Sequence, residues 1–366
     1  MKTKILFLLF FTFQISLAQN FKFGKISKEE LQETQHSKYP SADASIIYRE
    51  YKTNFEYSSE DGFYYLTEVF ERIKIYTKEG YDIATKALIT YQNSSGKRES
   101  ISSLKGNTYL LKGGKVEKIK LSKNGIFDEK VNQYYKRIKF TMPSLQEGCV
   151  IEYKYKFTSP FNRDISTYRF QENIPVNLVE FWFYFPEYFS YKTHKKGHLP
   201  IDIKKDGQEK TLDYSYMQIG ALNGGGADKS VKSQVTYREN SYHVTMKNVP
   251  PVKEEAFSGN IDNYLSGLKF ELAYTKFPNS NIESFATDWG FVAKSIYESS
   301  SFGSELEKSS YFKADIDNLL SGVSNENQKM ELIFDYVKSR MNWDSFIGKF
   351  VNKGVKKAYK EKVGNV

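Results

Sequence analysis

Residues 150–157 read Val-Ile-Glu-Tyr-Lys-Tyr-Lys-Phe, and this run constrains the chain most. Ile151, Tyr153, Tyr155 and Phe157 alternate with Glu152, Lys154 and Lys156. A period of two places the apolar set on one face and the charged set on the other, as in a half-buried antiparallel strand.

Similar runs recur through the first three quarters of the chain. Ile46 to Tyr57 reads as a strand closed by the turn signal Asp61-Gly62, and Tyr64 to Tyr76 reads as a second. Ala84 to Tyr91 follows, ended by Asn93-Ser94-Ser95-Gly96. Tyr109-Leu110-Leu111 and Val116 to Ile119 flank Lys112-Gly113-Gly114-Lys115, where two glycines supply the positive φ angles of a tight hairpin. Val179 to Phe185 is nearly all aromatic and apolar, which predicts burial on both faces. Residues 197–234 carry the least regular pattern. Strand-length runs with no helical period between them predict an antiparallel β-sandwich. The 28 Tyr and 28 Phe lean the same way, since aromatic side chains favour strands.

The helical period enters late. Trp289 to Tyr297 can begin a helix. Met330, Ile333, Phe334, Val337 and Met341 then recur at helical spacing after Ser324, an N-cap residue type. A shorter helix is expected over Gly354 to Lys362. Lys28 to Glu33 can form one short helix within the polar lead-in, residues 19–45.

Residues 1–18 read as a signal peptide. Lys2 and Lys4 form its positive start, Ile5 to Leu17 its apolar middle, and Ser16-Leu17-Ala18 its cleavage site. The apolar run is short for a bilayer span, and the mature chain is expected to lack a transmembrane segment. Export as a soluble protein, to a periplasm or the outside, is the expectation. The net charge of +9 is spread among acidic residues and carries no nucleic-acid motif, so nucleic acid is excluded as a partner. Cys149 is the single cysteine, so stability must come from core burial and not from an internal disulfide.

Two stretches carry a family resemblance. The order "YTKEGYD", a glycine hairpin, "MPSLQEGCVIEYKYKF" and "FQENIPVNLVEFWFYFP" resembles the β-rich domain of unknown function that precedes transglutaminase-like domains in exported bacterial proteins. That match runs from about Ile46 to Tyr191. Residues 249–255 and 268–274 continue it more weakly. The run Tyr336 to Asp344, a spacer and a short helix ending at Gly364 resemble the entry to the transglutaminase-like domain itself. In that family a cysteine two residues after the glycine is the nucleophile, served by a later His and Asp. Val366 occupies that position here, and no His or Asp follows it. The resemblance therefore implies a truncated or degenerate member without the catalytic triad.

Other candidate sites are weaker. Gly224 to Ser230 reads GGGADKS, but Asp228 stands where a phosphate loop needs Gly before Lys, so a surface loop is expected. Cys149 begins a strand, which offers no pKa-lowering partner, and reads as a small semi-buried residue. His36 carries no site signal, and His243 lies in a strand. His194 and His198 are four apart, but Gly197 and Pro200 argue against the helix that would align them. No metal site and no cofactor are expected. Glu254 and Glu255 follow two prolines and read as an interdomain contact. Trp182, Tyr184 and Trp289 could form an aromatic platform for a glycan.

The chain is thus expected to be mainly β. It divides into a signal peptide (1–18), a lead-in (19–45), an antiparallel β-sandwich (46–280), and a helical linker with an incomplete α+β transglutaminase-like domain (281–366). The functional expectation is an exported non-catalytic scaffold or binding module. An envelope glycan or a protein is its expected partner. The alternatives are the N-terminal part of a transglutaminase-like cysteine amidase or peptidase, and a glycan- or cell-envelope-binding module.

Overall fold

The computed structural model describes residues 21–93, 95–218, 229–285, 289–299, 302–345, 347–348, 351 and 354–365. The signal peptide, most of the GGGADKS loop and Val366 lie outside these residues.

Helix α1 spans Lys28–Gln32, and the first strands are β1 (Ala44–Ser58), β2 (Gly62–Ile75) and β3 (Thr85–Tyr91). Then come β4 (Ser100–Lys112), β5 (Lys115–Lys120), β6 (Ile126–Lys130), β7 (Tyr135–Thr141), β8 (Val150–Ser159) and β9 (Asp164–Arg169). They are followed by β10 (Val176–Pro186), β11 (Phe189–Lys196), β12 (Lys204–Gln218), β13 (Lys229–Val249), β14 (Gly267–Thr275) and β15 (Glu283–Ser284). Of the six α-helices among the described residues, five lie beyond the main strands. They are α2 (Trp289–Tyr297), α3 (Gly303–Leu306), α4 (Lys313–Leu319), α5 (Glu326–Arg340) and α6 (Val355–Glu361), with the short pair β16 (Asn342–Trp343) and β17 (Val363–Gly364) among them.

The fold is mainly β, as expected, with helices in the C-terminal region. Eight strands form the large sheet in the order β12-β13-β10-β1-β2-β8-β4-β5. Its neighbours are antiparallel except β1 and β10, which run parallel. A second sheet joins β11, β14 and β15, with β9 also on β14, and a third joins β3, β7 and β6.

Aromatic side chains join the large sheet to the second. Phe183 of β10 stacks on Phe270 of β14 with ring centroids 4.4 Å apart, and Phe55 of β1 meets Phe189 of β11 at 5.1 Å. The third sheet joins the same core through Phe140, which meets Tyr153 of β8 edge-on. This is the packing of two inner faces in a sandwich. Gly113 and Gly114 both have positive φ, as the β4–β5 hairpin requires.

Two expectations are corrected. Residues 179–185 alternate strictly, with Val179, Phe181, Phe183 and Phe185 buried and Glu180, Trp182 and Tyr184 half-buried. One face of β10 is core, and the other is open enough to leave its large side chains half-exposed. Residues 197–234 are largely the long ribbon of β12 and β13, where Lys204 through Gln218 pair with His243 through Lys229. Both faces there carry mostly polar residues, so no hydrophobic period marks the strands. The lead-in is also part of the fold. Leu31 packs with Ile47, Tyr109 and Val150 on the outer face of the large sheet, joined by Phe21 and Ile26.

Beneath that segment Glu152, on the charged face of β8, is shut from solvent. Arg72 donates to Glu152 at 2.9 Å and to Glu30 at 3.0 Å, and also to the carbonyls of Lys22 and Lys25. Glu152 accepts further bonds from Tyr109, Asn107 and the Gly24 amide. Lys74 is fully buried and donates to the carbonyls of Leu31 and Gly148; burial lowers its pKa to about 8. A second buried network lies on the inner face. Glu71 accepts from Arg49 at 2.7 Å and Tyr153 at 2.6 Å, with Lys86 at 3.3 Å. Burial alone would raise the Glu71 pKa, but Arg49, Lys86 and Tyr153 more than offset it and hold it at about 2.

Helix α5 starts one residue later than a Ser324 cap would set it, with Asn325 as its cap accepting from the Gln328 amide. Its stripe is divided. Met330 and Phe334 are exposed, whereas Ile333, Val337 and Met341 line an apolar cleft with Ile316, Val355 and Ala358, Val337 remaining partly exposed at its rim. Among the described residues no helix is long and apolar enough to cross a membrane.

Candidate functional site

The open part of the outer face is where two of the three expected aromatics, Trp182 and Tyr184, meet. Strand alternation turns Glu180, Trp182 and Tyr184 of β10 to the side opposite the core. Antiparallel register then sets Thr245, His243 and Ser241 of β13 beside them. The Trp182 and Tyr184 rings have parallel planes, 2° apart, with centroids 6.0 Å apart. His243 stacks on Trp182 at 3.5 Å and covers one face of the indole. On the other side Trp182 is flanked by Lys52 of β1, its register partner.

Polar groups flank the row. His243 Nε2 lies 2.7 Å from Glu180 Oε2, and the Thr245 hydroxyl donates to the same carboxylate at 3.0 Å. Glu239 accepts from Lys210 at 2.6 Å and from Gln208 at 3.1 Å. Burial, then the charge of Glu239, raises the Tyr184 pKa, so its phenol stays protonated and able to donate. Stacking surface beside fixed donors and acceptors is what a sugar ring, with apolar C–H faces and a polar rim, requires.

Trp289, the third expected platform residue, is not in this row. It is 86% exposed at the start of α2.

Cys149 precedes β8 and is 1% exposed; burial pushes its thiol pKa up, partly offset by the Lys74 charge. That opposes thiolate formation. His36 is buried, with Nε2 2.8 Å from Asn177 Oδ1, and helps fasten the lead-in. His194 lies in β11, not on a helix, 3.1 Å from Glu271. His198 and the Glu254-Glu255 pair are exposed in irregular segments. Among the described residues no group of His, Cys, Asp or Glu could hold a metal ion.

Sequence reasoning missed the buried charges Arg49, Glu71, Arg72, Lys74 and Glu152. Part of their signal was available in Glu71-Arg72-Ile73-Lys74, where three charges cluster at the end of a strand rich in apolar and aromatic residues.

Residues 67–223 match a domain family of unknown function, DUF3857. A solved structure from Parabacteroides distasonis, described as a "putative protease", is similar in fold, with a TM-score of 0.55 and 13% identity. The alignment covers 88% of this chain and 56% of that one, so the chain spans little more than half its length. At this identity the likeness is one of fold alone. No curated protein matches the chain.

Proposed function

We propose that this chain is an exported, non-catalytic binding module whose ligand is a cell-envelope glycan, held on the outer sheet face beside Trp182 and Tyr184. One observation carries the reading: two parallel, half-exposed aromatic rings stand next to the Glu180–His243–Thr245 group. Aromatic planes stack on sugar C–H faces, and the neighbouring side chains supply directed hydrogen bonds. Export is supported by the pattern of residues 1–18. The helical segment after Trp289 belongs, on this reading, to a transglutaminase-like domain whose expected nucleophile position holds Val366.

The test is retention on purified envelope polysaccharides and peptidoglycan. Wild-type protein should sediment with one of them, and failure with all of them counts against the reading. A second reading is favoured by the fold shared with the longer Parabacteroides protein. On that second reading, this chain's β module is the N-terminal part of a transglutaminase-like cysteine amidase or peptidase. Thiol-dependent turnover by the product of the full coding frame would support it.

A further inference from the structure

One rung of register partners crosses the outer face of the large sheet: Glu180 of β10, Glu50 of β1, Phe70 of β2, Lys154 of β8 and Lys105 of β4. Glu50, Phe70, Lys154 and Lys105 line a cleft of about 450 Å³, walled by Phe21 and Phe23 of the lead-in. That volume is in the range of small-molecule sites.

The charges on this rung are sorted by sign. Two carboxylates stand side by side at one end and two ammonium groups at the other. Like charges directly opposite each other on neighbouring strands are destabilising. Phe70, 7% exposed, separates the two signs. Glu68 and Lys156, also in the cleft, neutralise each other at 2.6 Å. Glu50 accepts from the Tyr48 hydroxyl at 2.6 Å, and Lys154 Nζ lies over the Phe23 ring at 4.9 Å. Among the described residues no cation pairs with Glu50, and no carboxylate pairs with Lys105 or Lys154. Each end of the cleft therefore offers its charge to a ligand group of the opposite sign.

Spacing sets the length of that ligand. Adjacent strands are about 4.8 Å apart, so the Glu50 and Lys154 backbones, two strands apart, are separated by roughly 9.5 Å. A free amino acid carries its ammonium and carboxylate on one carbon and is too short. A dipeptide or tripeptide extends over about 7–10 Å, and the Glu and Lys side chains close the remaining gap. The aromatic walls suit an apolar side chain on it. We propose that this cleft binds a short peptide in its zwitterionic form, with its ammonium on Glu50 and its carboxylate on Lys105 and Lys154. The cleft adjoins the Trp182 row through Glu180, but a peptide probe contains no sugar, so its failure and that of the glycan reading are separate results.

The probe is alanylphenylalanine, titrated into the whole protein by calorimetry at neutral pH and low salt, beside its N-acetyl and C-terminal amide forms. The free dipeptide should bind saturably. Each blocked form should bind roughly fivefold more weakly, the upper end for a solvent-exposed ion pair. Glu50→Gln should weaken the free dipeptide by the same factor and leave the N-acetyl form unchanged. Lys105→Met combined with Lys154→Met should weaken the free dipeptide and leave the amide form unchanged. Both variants should melt no lower than close to the parent, since Gln can keep the Tyr48 bond and removing the facing lysines relieves repulsion. Absence of saturable binding by the free dipeptide would overturn the proposal. So would equal affinity for the free and blocked forms, or an unchanged affinity in either variant.

Discussion

Arg72 Nη2 lies 2.9 Å from Glu152 Oε2, and the two side chains are 3% and 0% exposed. A charge buried this deeply is tolerable only with its partners in place. The partners come from β2, β8 and the lead-in, so the ion pair fastens residues 21–39 to the outer face. Arg72→Met would leave Glu152 and Glu30 without their cation. It should cost about 3–5 kcal/mol in urea unfolding. Trypsin should then cut at Lys22 and Lys25 before the β core is touched.

The inner network predicts the acid response. The folded pKa of Glu71, about 2, is below that of an unfolded glutamate. The unfolded chain therefore takes up the proton first as pH falls. The stabilisation is complete above about pH 4.5 and is lost as pH falls toward 2. Glu71→Gln should lower stability at neutral pH and flatten the loss between pH 4.5 and 2. Melting temperatures across that range report both effects.

Cys149 should be slow toward thiol reagents in the native protein, since it is buried and its thiol is held protonated. Labelling should rise to the rate of a free thiol only in denaturant. Fast native labelling would place Cys149 on an accessible surface.

The helices of the C-terminal region make their polar contacts with one another. The Tyr336 hydroxyl of α5 donates to that of Tyr359 of α6 at 2.8 Å, and Tyr359 in turn donates to Asp315 of α4. Deleting Ser324 to Val366 should leave the β transition cooperative and within a few degrees of the parent. It should also reduce self-association by removing the exposed Met330, Phe334 and Val337. Loss of the β transition would show that these helices support the main core.

The legible part of the fold is the part with a strong period. The alternation at Ile151 to Phe157 and the helical spacing of Met330 to Met341 both correspond to real elements. The β12–β13 ribbon was missed because its side chains are mostly polar on both faces, leaving no periodic signal. Residues 179–185 looked buried throughout because Trp and Tyr read as apolar; hydropathy does not tell a core ring from a half-exposed one. Glu152 looked solvated because alternation does not reveal that the lead-in covers its face. Of the site, the types of Trp182 and Tyr184 were legible, but the cross-strand His243 and the remoteness of Trp289 depend on register and on the path of the chain.

The most direct test of the proposed function is calorimetric titration of soluble peptidoglycan fragments into the wild-type protein and Trp182→Ala. Trp182 is half-exposed and outside the core, so the variant should fold with nearly the parent's melting temperature. The glycan reading predicts saturable binding by the wild type and at least a tenfold loss in Trp182→Ala, about 1.4 kcal/mol. Equal affinity in the two proteins, or no binding by either, would contradict it.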